Sequence, residues 1–249
     1  NVHPTVISRG YKMASDKALE ILNEISENIT EKDEKILKQI AVTAMTGKGA
    51  EGTKEVLAEL CVKAVKQVKD NDGNIDLENI KLEKKFGAGV EDTELIQGIL
   101  IDKEKVHSAM PRVIKNAKIA LLDCALEVKS PETDTKIQIS SPDQLQGFLD
   151  QEEKILRNMV DKVIKSKANV VICQKGIDDV AQHYLAKANV YAARRVKKSD
   201  MDKLARATNG RVISNLNDLR EEDLGYSGIV EEVKVGDEMM TFIRECKNP

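Results

Sequence analysis

Apolar residues in the first quarter of the chain recur every three or four positions, which is the period of an α-helix. Three stretches follow this spacing, at residues 14–25, 36–44 and 57–68. Thr30 and Asp33 stand three positions apart just before the second stretch, as in an N-cap pair. The pattern therefore predicts that the chain opens with an all-helical part.

The pattern changes to a period of two after the turn-forming sequence Asn-Asp-Gly-Asn at 71–74. Ile80, Leu82 and Phe86 alternate with polar residues, and a largely apolar run follows at 93–101. Because successive side chains of a strand point to opposite faces, this alternation is typical of β-structure. We therefore expect strands in both segments.

Strand-like and helical segments alternate in the rest of the chain, beyond residue 103. Strands are predicted at 118–124, 170–173, 190–196 and 211–214, helices at 177–188 and 199–210, the second capped by Ser199 and closed by Gly210, and a hairpin at 229–243. Such alternation, at about twenty residues per unit, indicates parallel strands joined by right-handed helical crossovers. The predicted fold class is α/β (mixed), with a helical segment ahead of the α/β part.

The clearest helix begins with Ser141 as N-cap and Pro142 at the first helical position, and it continues to about Ser166. Its apolar side carries Leu145, Phe148, Leu149, Leu156 and Met159. At about 25 residues and 1.5 Å per residue it would be about 38 Å long, more than a compact domain of this size needs. An apolar face that overhangs its domain marks a binding or closure surface, and packing in the core is the alternative interpretation.

Composition narrows the classes of function. The 249 residues are 41% apolar and 33% charged, with 39 basic and 42 acidic side chains for a net charge of −3. A near-zero net charge argues against a general electrostatic grip on nucleic acid or membrane. Aromatic residues make up 3% with no tryptophan, which argues against base-stacking and carbohydrate platforms. No apolar run approaches the roughly eighteen residues of a membrane span.

Candidate catalytic and metal-binding residues do not form a motif in the sequence. The three histidines, His3, His107 and His183, fall in separate predicted elements, and the four cysteines lack a C-x-x-C spacing. We therefore expect no metal site, and we expect the chain to be reduced and cytoplasmic. The sequence Thr-Gly-Lys-Gly at 46–49 follows a helix and lacks the Ser or Thr of a phosphate loop. No catalytic residue is predicted from these patterns.

Several short blocks nevertheless occur together in a recognisable order. They include TGKG at 46–49, DTEL at 92–95, NAKIALLDC at 116–124, QKGID at 174–178 and CKNP at 246–249. In these blocks the chain resembles the group II chaperonins, most closely the archaeal thermosome subunits, and the resemblance covers essentially its whole length.

The resemblance implies a division of the chain and a function. Residues 1–30 would be the helix leaving an equatorial domain, 31–102 the first segment of an intermediate domain, and 103–249 an apical domain with a helical protrusion at about 128–167. It implies an ATP-dependent folding machine in which the apical part binds non-native protein and the protrusion forms a built-in lid. The implied partners are unfolded clients, other subunits in a double ring, and prefoldin.

The resemblance also assigns roles to residues. Lys48 would lie on the family's nucleotide-sensing loop. The apolar residues that would bind clients and form part of the lid are Leu145, Phe148, Leu149, Leu156 and Met159. The family's phosphate loop, Gly-Asp-Gly-Thr-Thr, is expected upstream of this chain and its hydrolytic aspartate downstream. ATP and Mg²⁺ are therefore implied for the full-length subunit and not for these 249 residues.

Two other functions stay open at this point. A stand-alone nucleotide-binding α/β enzyme needs a glycine-rich strand-to-helix turn, and the candidate at 173–176 offers one glycine. A passive interaction scaffold needs no such turn. The helix at 177–188 could form a second client-binding wall, but packing on the sheet explains its apolar period equally well.

Overall fold

The computed structural model describes residues 2–69, 72–86, 89–128 and 142–246. These residues fall into two units, Asn1–Lys66 and Gln67–Pro249. The division into three parts at residues 30 and 102 stays a prediction.

The first unit is helical, as its apolar period predicts. Its helices are α1 (Pro4–Ile25), α2 (Glu34–Met45) and α3 (Lys54–Gln67). Asp33 is the N-cap of α2, but its side chain does not bond the helix; instead Oδ2 accepts hydrogen bonds from Thr30 N at 2.8 Å and Thr30 Oγ1 at 2.9 Å. The Thr30–Asp33 pair therefore closes the preceding turn. Among the described residues of this unit, Ala58 alone is buried.

The second unit is built on a mixed β-sheet. Its strands are β1 (Gly98–Ile101), β2 (Val113–Leu122), β3 (Val170–Cys173), β4 (Tyr191–Ala193), β5 (Val212–Ile213), β6 (Gly225–Val235) and β7 (Glu238–Cys246). In the described residues the order is β1-β7-β6-β2-β3-β4, and β5 pairs with the end of β2 beyond β6. Strands β2, β3, β4 and β5 are parallel, whereas β6 and β7 form the predicted antiparallel hairpin.

Helices cover both faces of this sheet. Adjacent residues of β2 point to opposite faces, so they pack against different helices. Ala120 and Leu122 pack with α4 (Pro142–Lys165) and α5 (Asp179–Lys187) in one hydrophobic cluster. Ile119 and Leu121 pack in the other with α6 (Lys198–Thr208). The helix–strand alternation beyond residue 165 is thus confirmed. Helix α5 packs on the sheet through Ala181 and Leu185, as the core interpretation of its apolar period requires.

The strand predicted at 80–86 is wrong. This segment belongs to none of the described strands, Leu82 is 84% exposed and Phe86 is fully exposed. Two lysines of this segment make contacts: the Lys81 ammonium donates to Leu100 O at 3.0 Å and pairs with Asp200 at 3.2 Å, and the Lys85 ammonium pairs with Asp102 at 3.3 Å. Of the three alternating apolar residues, Ile80 is half-buried, whereas Leu82 and Phe86 are exposed.

Two further boundaries also differ from the prediction. Of the run at 93–101, the strand β1 takes up the last four residues. Helix α6 has Lys197 as its N-cap in place of Ser199, and its C-cap is Asn209 in the left-handed conformation (φ 56°) in place of Gly210. Asparagine tolerates this conformation well enough to replace glycine at a helix end. Ser141, the predicted N-cap of α4, lies outside the described residues.

Candidate functional site

Helix α4 consists of two halves with different surroundings. Every residue from 142 to 155 is exposed, and burial begins at Leu156 and continues with Val160 and Val163. At 1.5 Å per residue the exposed half is about 21 Å long. The helix is therefore anchored by its C-terminal half, and its N-terminal half projects from the sheet and helices that hold it.

Three of the predicted apolar site residues lie together on the projecting half. Leu145, Phe148 and Leu149 are 47%, 41% and 51% exposed. Their spacing of three and four residues places them on one side of the helix, where such neighbours lie about 5–6 Å apart. They form an apolar patch without a covering element among the described residues, and below we call these three residues the apolar patch.

The prediction that Leu156 and Met159 belong to the same open surface is wrong. Leu156 is 3% exposed and belongs to the core cluster, and Met159 is half-buried against that cluster. The apolar side chains of α4 lie along one side of the helix, and from Leu156 onward this side packs against α5 and the sheet. These two residues hold the projecting half in place.

A polar contact marks the point where α4 leaves the body of the unit. The Tyr184 hydroxyl on α5 donates a hydrogen bond to Glu153, and the Arg157 guanidinium lies 5.9 Å from the centroid of the Tyr184 ring. The bond to Glu153 raises the pKa of the Tyr184 hydroxyl. Spacing within one helix could not reveal this contact, because it joins two elements about thirty residues apart in sequence.

The other end of α4 is held by an ion cluster. Glu221 accepts from the Lys118 ammonium of β2 at 2.8 Å and from the Lys167 ammonium, just beyond α4, at 2.6 Å. Hydrogen bonds from the two lysines lower the pKa of Glu221 to about 2. Lys162 adds a hydrogen bond to Asn217 at 2.6 Å. The C-terminal half of α4 is thus fixed by both apolar and polar contacts.

Lys48, the predicted sensing residue, lies on an exposed turn of the unit Asn1–Lys66. Gly47 occupies the positive-φ region at 75°, and its N–H donates to Glu51 Oε2 at 2.5 Å. The Lys54 ammonium and the Gly47 N–H together lower the pKa of Glu51. The turn that carries Lys48 is therefore tied to a local acceptor.

Two histidines that the sequence places in separate elements come together in the fold. The rings of His107 and His183 have centroids 6.1 Å apart, and His107 Nδ1 accepts from Ala109 N at 3.1 Å. Within the described ranges no three His, Cys, Asp or Glu side chains are arranged to hold a metal ion.

The cysteines that the structure describes are all free thiols. Cys173 is buried in the sheet and donates to the Cys124 carbonyl at 3.3 Å, and burial raises its pKa to about 12. A thiol needs to ionise to react as a nucleophile, so Cys173 is a structural residue of the sheet.

Among the residues that the structure describes, no helix is both long enough and apolar enough to cross a bilayer.

Comparisons with known proteins agree with this architecture. The family model described as the TCP-1/cpn60 chaperonin family matches residues 1–249. A thermosome subunit of Methanopyrus kandleri is 60% identical over 252 aligned residues, and the thermosome subunit beta of Archaeoglobus fulgidus is 56% identical over 251. Each alignment covers all of this chain and 46% of the relative.

A solved structure shares the arrangement as well. The open-state monomer of a group II chaperonin from Methanococcoides burtonii superposes with a TM-score of 0.74 at 44% identity, over 100% of this chain and 56% of that one. The chain thus spans about half the length of the relatives it matches. With a match along its whole length, this chain belongs to the TCP-1/cpn60 chaperonin family, and within that family it is similar to the group II members called thermosome subunits.

Proposed function

We propose that this chain is the client-binding part of a chaperonin subunit and that it binds non-native protein through the apolar patch, Leu145, Phe148 and Leu149. The observation that carries the proposal is the projecting half of α4, where every residue from 142 to 155 is exposed. An unfolded client presents apolar groups without a fixed shape, so a small open apolar surface on a rigid helix suits it.

The same projecting helix supports a second role as a built-in lid. In this proposal residues 103–249 are the apical domain, about 128–167 its protrusion, and 31–102 the first segment of the intermediate domain that moves it. Other subunits of a double ring would supply the neighbouring protrusions, and prefoldin would deliver clients, all in the cytoplasm. Support comes from the similarity to thermosome subunits and from the anchoring of α4 by its buried C-terminal half.

We assign Lys48 the role of reporting a nucleotide bound elsewhere in the full-length subunit. An ammonium on an exposed, glycine-flanked turn can reach a phosphate of a neighbouring domain and bond to it. The turn that carries Lys48 follows a helix, and the similarity to thermosome subunits supports this role. In this proposal ATP and Mg²⁺ belong to the full-length subunit, and we assign no catalytic step to this chain.

Suppression of client aggregation tests the client-binding proposal. We expect the 249-residue chain to slow the aggregation of a chemically denatured client, measured by light scattering. Replacing Phe148→Asp together with Leu149→Asp should raise the concentration for half-maximal suppression about tenfold, as expected for a loss of about 1.4 kcal/mol of binding free energy. Both residues are exposed, so the circular dichroism of the variant should match that of the wild type.

Ile164→Asp is the matched control, because Ile164 lies on the same helix with 41% exposure but on the anchored half. Equal suppression by the wild type and the double variant would refute the apolar patch as the client site. Absence of suppression by the wild type would favour the passive scaffold. Tight binding of ATP, ADP or NAD by the chain in calorimetry would favour the stand-alone enzyme.

A further inference from the structure

A carboxylate interrupts the apolar side of α4 where its exposed and buried halves meet. Glu152 lies four residues after Phe148 and four residues before Leu156, so it continues the line of apolar side chains. It is exposed, whereas Leu156 is buried. The apolar patch is thus bordered by a negative charge on its own face.

The carboxylates beside Glu152 are already bonded, whereas Glu152 has no bonding partner among the described residues. Glu153 accepts from the Tyr184 hydroxyl, and Asp150 accepts from Gln146 Nε2 at 2.8 Å. Among the described residues, none donates a hydrogen bond to the Glu152 side chain or places a cation within 4.0 Å of it. Its charge is therefore available to an incoming group.

Favourable interaction with the helix dipole does not explain why a carboxylate occupies position 152. Glu152 is the eleventh residue of α4, and the dipole effect fades within the first turn. The projecting half as a whole is acidic: residues 142–155 carry four carboxylates and one lysine. The anchored half instead carries Arg157, Lys162 and Lys165 against one aspartate. The negative charge is thus concentrated on the open part of the helix.

We infer that the preferred occupant of the apolar patch is a polypeptide segment whose apolar side chains are flanked by lysine or arginine. A segment that covers Phe148 and Leu149 also removes water from the neighbouring Glu152 carboxylate. Loss of that water costs free energy unless the segment supplies a cation or donor. The inference rests on the proposed client binding and adds the class of client segment that this site selects.

Two labelled peptides test the inference by fluorescence anisotropy with the 249-residue chain. Both have the same apolar core of leucine and phenylalanine, flanked by two lysines at each end in one and by two glutamates in the other. We expect the lysine-flanked peptide to bind about fivefold more tightly at low salt, and this ratio to fall as salt screens the charges. Glu152→Gln should bring the ratio close to one, and Glu152→Lys should reverse it.

Asp161→Asn is the matched control, because it removes one exposed carboxylate from the anchored half of α4 and should leave the ratio unchanged. If both peptides bind equally and Glu152→Gln changes nothing, the inference is overturned while client binding stands. If neither peptide binds, both the inference and the proposed client binding are overturned. If Asp161→Asn lowers the ratio as much as Glu152→Gln does, overall charge explains the preference and the inference is overturned.

Discussion

Single acidic residues of this protein differ sharply in how their charge is used. Glu221 is held between two lysine ammonium groups of separate elements, whereas Glu152 faces solvent beside an apolar patch without a described partner. The first arrangement stabilises the folded state, and in our proposal the second serves binding. Sequence alone shows both simply as glutamates in charged surroundings, because the lysines that bond Glu221 are 54 and 103 residues away.

The pH dependence of stability should reveal the Glu221 cluster. Its pKa is lowered to about 2 in the folded state, from about 4.3 in an unfolded chain. The stabilisation is therefore complete above the unfolded value and is lost as pH falls toward 2. We expect the difference in Tm between the wild type and Glu221→Gln to be largest above about pH 5 and to vanish near pH 2.

Glu222→Gln is the control for this measurement, because Glu222 is an exposed neighbour whose ion pair with Arg220 is long, at 3.4 Å. Its difference from the wild type should be small at every pH, as exposed pairs contribute little. A Glu221→Gln difference that stays constant from pH 5 to pH 2 would contradict the role of the charged cluster.

Helix α4 shows how one element can serve two purposes along its length. Its apolar side is continuous in the sequence, yet Leu149 is open and Leu156, seven residues later, is in the core. The period of the pattern gave the helix and its apolar side correctly. It could not give the point at which the sheet and α5 begin to cover that side, because this point depends on the lengths and positions of other elements.

Two alanine substitutions on α4 distinguish its buried, anchoring half from its exposed, projecting half. Leu156→Ala removes buried methyl groups from the core and should lower the free energy of unfolding by about 2–4 kcal/mol. Leu149→Ala removes the same groups from an exposed position and should change it by less than about 0.5 kcal/mol. Equilibrium urea unfolding followed by circular dichroism measures both. Equal effects of the two substitutions would show that the projecting half is covered in solution.

At the scale of the whole molecule, the two units differ in how much they bury. Strands β2 and β3 lie at the centre of the second unit with helices on both faces, and all four residues of β3 are buried. Helix α1 of the first unit has no buried residue along its 22 positions. A helix with little tertiary packing depends on its own marginal stability.

Hydrogen exchange followed by mass spectrometry should show this difference. We expect amides of α1 to exchange at least about a hundredfold faster than those of β2 and β3, because local opening of α1 exposes no core. The anchored half of α4, whose amides lie in a helix packed on the sheet, is the internal control and should exchange slowly. Protection of α1 equal to that of β2 would mean that another surface covers it in solution.

The sequence by itself determined the local elements of this protein and their fold class. The period of three to four predicted the helices, and the strand–helix alternation predicted the parallel strands. The apolar run at 170–173 predicted both ends of β3 correctly. These features follow from side-chain direction within one element, so neighbouring residues suffice to encode them.

Only the tertiary structure decided which surfaces are open. It left the alternating segment at 80–86 outside the sheet and held it by lysines, buried Leu156 while leaving Leu149 exposed, and brought Glu153 to Tyr184 and Glu221 to two lysines. Each of these outcomes depends on groups far apart in the chain meeting in space. Burial and ion pairing depend on these tertiary contacts, and the residue pattern within one element does not determine them.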